Sequence, residues 1–163
     1  MRKYSIRPLA DSDHEWARLH IRRYWGDEMV IAHGEVYYPA DLPGYLAILE
    51  GEPVALATFH IEGDACELVS LDCDVQGIGI GAALITAVLL TAETAGCRRL
   101  WLVTTNDNLH ALGFYQKRGF CLVAVHPGAV NESRSIKPAI PLNGENGIPI
   151  RDEIELEINL GKS

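Results

Sequence analysis

The spacing of apolar residues changes along the chain, and each change marks an element. Residues 4–8 read as a short strand, and Asp11, Ser12 or Asp13 beyond them offers a helix cap. Trp16, Leu19, His20 and Tyr24 then recur at helical spacing. Over residues 26–43 that period is lost. Met29, His33, Tyr37 and Tyr38 stand there among polar residues, glycine and proline, which predicts an irregular or short-helical flap. Residues 44–49 and 54–61 are apolar runs about Glu50-Gly51-Glu52-Pro53, a hairpin pattern, and Gly63-Asp64 turns the chain into a strand over 66–72.

Residues 80–94 are rich in Ala and Leu and are stopped by Gly96, as a helix should be. Residues 100–104 are continuously apolar, the mark of a buried strand. A further helix is predicted over 108–117 with Gly119 as its stop, and a strand over 120–125. Pro, Gly and Asn crowd residues 127–149, which predicts a loop; 154–160 alternate strictly, as in a strand with one wet face. The order is strand, helix, strands, helix, strand, helix, two strands, with no repeat, low-complexity tract or linker. At 163 residues this predicts one α/β domain spanning 1–163.

Charge and composition narrow the function. The net charge of −8 disfavours a nucleic-acid partner, which wants a basic face. It would suit an amine substrate, although solubility alone explains an acidic surface. No apolar leader precedes Pro8, and the most apolar run, 82–90, is too short to cross a bilayer, so the expectation is a cytoplasmic protein with no membrane partner. Cys66, Cys73, Cys97 and Cys121 lack C-x-x-C spacing and read as buried free thiols of a reducing compartment. The six histidines (14, 20, 33, 60, 110 and 126) are scattered without a ligand pattern, so no metal is expected.

The chemistry concentrates in two segments. Gln76-Gly77-Ile78-Gly79-Ile80-Gly81 follows a strand and opens the 80–94 helix. Backbone amides at such a helix start point outward at the positive end of the dipole, which makes a diphosphate-binding device. Gly77-x-Gly79-x-x-Ala82 also fits a dinucleotide fingerprint, but the preceding strands read as hairpins and the following strand ends in Thr104-Thr105 rather than an acid. A Walker loop is excluded, since no G-x-x-x-x-G-K-[ST] occurs. Glycines chosen only for a tight turn are the plainest alternative. The second segment, Asn106-Asp107-Asn108 leading to Phe114-Tyr115-Gln116-Lys117-Arg118-Gly119-Phe120, adds an amide and a phenol from the next strand–helix unit.

Together the two segments resemble the acyl-coenzyme A site of the GNAT superfamily of N-acetyltransferases, in a bacterial branch. The signature [QR]-x-x-G-x-[GA] is met by Gln76, Gly79 and Gly81. The resemblance implies a mixed, mostly antiparallel sheet of six or seven strands flanked by helices on both faces. It implies acetyl-CoA as co-substrate, with no metal, and an amine acceptor that is a small molecule or a peptide; a homodimer is compatible with it. Backbone groups of Gln76, Gly77, Ile78, Gly79, Ile80, Gly81 and Ala82 would cradle the pyrophosphate, and the main chain of Leu71, Asp72 and Cys73 would meet the pantetheine arm. Asn108 would bind the coenzyme or cap its helix, or both. Tyr115 would return a proton to the departing thiolate, against a simple packing role; Phe114 is assigned to the core.

Glu67, on the strand before the loop, is the candidate general base, set against an exposed strand residue; Asp72, Glu35, His33 and His60 are fallbacks. Residues 25–38, whose aromatics stand beside Glu28 and Glu35, would face the acceptor as a cation site or as a plain apolar cover. The chain departs from the resemblance at Leu71-Asp72-Cys73-Asp74, where V-x-P is usual. Two acids beside a diphosphate cost affinity unless turned away or neutralised. Gln76 replaces the arginine common at its position, and Gly113 sits mid-helix at up to ~1 kcal/mol. Thr104 to Asn108, Arg134, Lys137, Pro138 and residues 150–153 carry the likeness to the bacterial branch. The expected activity is direct acetyl transfer to a primary amine in a ternary complex; the alternative is an acyl-CoA sensor without turnover on the same fold, and a nicotinamide enzyme is the third reading.

Overall fold

The structure, a computed structural model, describes residues 3–161. Among the described residues seven main strands make a mostly antiparallel sheet, with four α-helices, so the architecture is the α/β class expected. The chain forms two compact units. Of the described residues, the first holds 3–30, 37–100 and 160–161; the second holds 31–36 and 101–159.

In the first unit β1 (Tyr4–Pro8), β4 (Gly44–Leu49), β5 (Glu52–Glu62) and β6 (Ala65–Cys73) pair antiparallel in that order. Side chains alternate across a strand, so neighbours in sequence face opposite sides. Leu46 and Leu56 on one face pack with Ala17 and Ile21 of α1 (His14–Trp25). Tyr45, on the other face, hydrogen-bonds through its hydroxyl to Thr91 of α2 (Ile80–Thr94). Each helix therefore covers one face, and Leu84, Val88 and Ala92 of α2 are fully buried there. The β4–β5 turn needs only Glu50 and Gly51, both at positive φ (54° and 82°), so β5 starts earlier than the apolar run suggested.

The 26–43 flap is more regular than its sequence. It contains a hairpin of β2 (Val30–Ala32) and β3 (Glu35–Tyr37), closed by His33 and Gly34 at φ 42° and 80°, and a 3₁₀ turn at Pro39–Asp41. Asp13 does stand at the N-cap of α1, yet its carboxylate takes Arg7 and the Ala10 amide rather than capping.

The second unit contains most of β7 (Arg99–Thr105), α3 (Leu109–Lys117), β8 (Cys121–His126), α4 (Ala129–Ile136) and β9 (Glu153–Asn159). Strands β8 and β9 are antiparallel, with Val123 extra in β8. The predicted loop over 127–149 was wrong at its start, where α4 forms. The strict alternation expected of β9 also fails, since Glu153 is buried while Ile154 and Ile158 are only half-buried. Phe114 is half-buried under the Arg118 guanidinium, 3.9 Å from its ring centre, not in the core. Of the four free cysteines, Cys66 and Cys97 are buried as expected, but Cys73 is half-buried and Cys121 exposed.

Candidate active site

Strand β6, which leads to the glycine loop, carries a bulge at its middle. Thr58 pairs with Ser70 and Phe59 with Leu68, so Val69 is an extra residue with no partner position on β5. A bulge resets the alternation, so Glu67 on one side of it shares a face with Ser70 and Asp72 on the other. Glu67 is no exposed strand residue. It is 3% exposed, and its Oε1 accepts a 2.7 Å hydrogen bond from the Tyr37 hydroxyl at the end of β3. The Tyr37 ring lies 5.7 Å from His60, the cross-strand partner of Glu67. Ser70 is satisfied by Thr58 at 2.6 Å.

Beyond Cys73 the chain is braced by its own groups. The Gln76 side-chain amide donates to the Cys73 carbonyl at 3.0 Å, and the Cys73 thiol to the Val75 carbonyl at 2.8 Å. Gly77 and Gly79 take φ of 84° and 86°, a left-handed conformation that strains any other residue. Gly79 is the N-cap of α2, and the first helical bond runs from the Ala83 amide to its carbonyl at 3.0 Å. The amides of Ile80, Gly81 and Ala82 precede that bond and have no acceptor within the helix. This is donor geometry suited to a diphosphate. No carboxylate occurs among residues 75–82 to oppose it.

The two acids at the end of β6 are held by the last turn of α1. The Trp25 indole donates to Asp72 Oδ2 at 2.9 Å. Asp74 Oδ1 accepts from Arg23 Nη2 and from the Tyr24 hydroxyl, both at 2.6 Å. His20, buried and stacked on Trp16 at 4.6 Å, reaches the Asp72 carbonyl through Nε2 at 3.2 Å. Burial lowers its pKa, with Asp72 and Asp74 working against that shift, so the ring is neutral near pH 7. Burial pushes the Asp72 carboxyl up to about 6, with Asp74 adding and Trp25 opposing.

That shift has a stability consequence. The folded protein keeps the Asp72 proton up to about pH 6, whereas an unfolded chain releases it near 3.9. Ionisation therefore weakens folding as pH rises through that window, and the cost is fully present above pH 6. Asp72→Asn, whose carbonyl still accepts from Trp25, should be more stable than wild type by about 1–3 kcal/mol at pH 7.5 and show no such gain at pH 4. Thermal melts across pH 4–8 check this; a pH-independent difference would contradict the buried-acid account.

In the second unit Asn108 is the N-cap of α3, its Oδ1 accepting from the Ala111 amide at 3.1 Å. Tyr115 is half-buried, edge-on to both Phe114 and Phe120 with ring centres 5.3 Å apart in each pair. Gly113 is not imposed by packing, since a Cβ there would meet nothing within 4 Å. Several residues of the bacterial pattern form a knot. Asn106 accepts from the Arg151 and Asp152 amides and donates to the Pro149 carbonyl, all within 3.0 Å. Arg134 donates to the carbonyls of Ile140, Pro141 and Ile150. Gly144 lies so close to the buried Asp107 carboxylate that a Cβ would overlap it. Among the fallback bases, His33 lies 4.8 Å from the Trp101 ring and gives its backbone N–H to Glu153; Glu35 is exposed.

Sequence reasoning did not foresee the Val69 bulge, the Tyr37–Glu67 bond or the α1 clamp on Asp72 and Asp74. The aromatic flap was the only hint of the second. No group of three or more potential metal ligands occurs among the described residues, and no helix among them is long and apolar enough to cross a membrane.

The acetyltransferase (GNAT) family model matches residues 6–120. The chain is 46% identical over 134 residues to the uncharacterized protein YdhI of Bacillus subtilis (strain 168), covering 81% of this chain and 83% of that one. Among solved structures it is similar to the IAA acetyltransferase from Bacillus cereus ATCC 14579, with a TM-score of 0.72 at 21% identity, covering 97% of this chain and 100% of that one. It is also similar to a Bacillus subtilis acetyltransferase in complex with CoA, with a TM-score of 0.67 at 18% identity, covering 99% and 100%. The chain belongs to the GNAT acetyltransferase family, whose shared chemistry is acetyl transfer.

Proposed function

We propose that the protein is an N-acetyltransferase that moves an acetyl group from acetyl-CoA to a primary amine of a small molecule or peptide, by direct attack in a ternary complex. The observation that carries this is the β6–loop–α2 junction, where two left-handed glycines open a helix whose first three amides have no acceptor within it. Residues 76–82 bind the pyrophosphate through the backbone. Gln76 serves by bracing the loop on Cys73 rather than as a cation. The main chain of Leu71, Asp72 and Cys73 meets the pantetheine arm, and Asn108 adds its Nδ2 donors while its oxygen caps α3.

An ammonium cannot attack a thioester, so it first loses a proton. Glu67 takes it, directly or through a water, with its carboxylate held by Tyr37. The amine nitrogen then bonds to the acetyl carbon, the carbon–sulfur bond breaks, and Tyr115 gives its phenolic proton to the leaving thiolate. The likeness of the fold to CoA-bound acetyltransferases supports the co-substrate.

The test is thermal stabilisation by acetyl-CoA, other acyl-CoAs and NAD, followed by release of free thiol from the best binder against a panel of amines. Stabilisation by NAD alone would sink the reading, and coenzyme binding without thiol release from any amine would make the protein a sensor. With a substrate in hand, Tyr115→Phe should keep coenzyme affinity and lower kcat by about 10²-fold, the usual worth of a positioned acid. An unchanged kcat would move the acid role to another group or to water.

A further inference from the structure

Asp74 stands two residues before Gln76, within ~7 Å of it along the chain. A bare carboxylate there would repel the diphosphate that the loop is built to hold, and Gln76, folded back on Cys73, offers no cation in compensation. Four side chains of α1 touch Asp72 and Asp74: His20, Arg23, Tyr24 and Trp25. Tyr24 and Trp25 are neutral donors. His20 approaches Asp74 at 4.0 Å but is fully buried, where a charge is costly. Among these four, Arg23 carries the full positive charge, and its Nη2 lies 2.6 Å from Asp74 Oδ1.

We propose that Arg23 is a positioning residue for the coenzyme, pairing with Asp74 at the neck of the phosphate loop and cancelling the carboxylate that would otherwise oppose the diphosphate. The proposal rests on the reading of residues 76–82 as the coenzyme site. It gives α1 a part in coenzyme binding that the signature does not contain. The two donors on Asp74 divide the work: Tyr24 fixes where the carboxylate points, and Arg23 removes its field. The Arg23 side chain is 61% exposed, and exposed pairs add little to stability, so its replacement should leave the fold intact.

The experiment is isothermal titration of CoA into wild type, Arg23→Met, Arg23→Lys, Asp74→Asn and the double variant Arg23→Met/Asp74→Asn, with melting temperatures as the fold control. Arg23→Met keeps an unbranched apolar stem and loses the charge. It should bind CoA about tenfold more weakly at low salt, and the deficit should shrink as ionic strength rises from about 0.05 to 0.5 M. Arg23→Lys should stay within about twofold of wild type. Asp74→Asn should bind at least as tightly as wild type, and the double variant should recover the affinity that Arg23→Met loses. A merely structural arginine predicts no such recovery and no salt dependence. Wild-type affinity in Arg23→Met, or a double variant as weak as Arg23→Met, would overturn the assignment. Should wild type itself take up no CoA, it is the coenzyme reading that falls; a loss confined to the variants concerns Arg23 alone.

Discussion

Gly79→Val should abolish most coenzyme binding, by about 10²-fold or more, in a protein that still folds. Gly79 holds φ 86° at the N-cap of α2, and a β-branched residue is a strong outlier there. Its Cβ would meet only the Tyr4 hydroxyl, at 3.6 Å, an ordinary contact. Crowding is therefore not the cause of the expected loss. To relieve its backbone, valine must turn the Ile78–Ile80 segment toward negative φ, which also disturbs the 3.3 Å bond from the Tyr4 hydroxyl to the Gly79 carbonyl. The amides of Ile80, Gly81 and Ala82 then no longer converge. Each hydrogen bond to a charged group is worth about 1.5–3 kcal/mol, so losing two accounts for a factor of 10² or more. Titration of CoA beside a circular-dichroism melt measures it. Native affinity in a folded Gly79→Val protein would remove the loop from the site.

How much of this could be read in the sequence depends on how local the signal is. Helix α2 was legible to the residue, because the glycine loop before it and Gly96 after it punctuate a run rich in Ala and Leu. Asn108 as a cap was equally local. Helix α4 was not legible. Its Asn, two Ser and short length carry little helical preference, and it is sustained instead by burial of Val130 and Ser133 and by the Val130 amide on the Arg151 carbonyl, more than twenty residues away. The β2–β3 hairpin escaped notice because its turn puts His33, rather than asparagine or glycine, at positive φ. The acids at Asp72 and Asp74 looked like a liability because their partners, Arg23, Tyr24 and Trp25, lie some fifty residues earlier. The Val69 bulge has no sequence mark, yet it decides which face Glu67 shares.

Glu67→Gln should lower kcat/KM toward an amine by about 10²–10³-fold near neutral pH, and the deficit should shrink as pH rises. Glutamine keeps the length and an acceptor oxygen for the Tyr37 hydroxyl, so the local shape should survive. What it loses is the capacity to take a proton. Near neutral pH nearly all of a primary amine arrives as ammonium, and the carboxylate must complete the deprotonation that attack requires. Toward the pKa of the amine, the substrate brings its own lone pair and the missing base matters less. Wild type should therefore show a gentler rising limb than the variant, and the two profiles should converge at high pH. Tyr37→Phe supplies the companion measurement. It leaves the carboxylate in place without its 2.7 Å donor, so it should cost less rate than Glu67→Gln. A Glu67→Gln protein with the wild-type rate and an unaltered profile would leave Glu67 as a buried partner of Tyr37 and nothing more. The base would then have to be sought among the remaining candidates, His60 first, since its ring lies 5.7 Å from that of Tyr37.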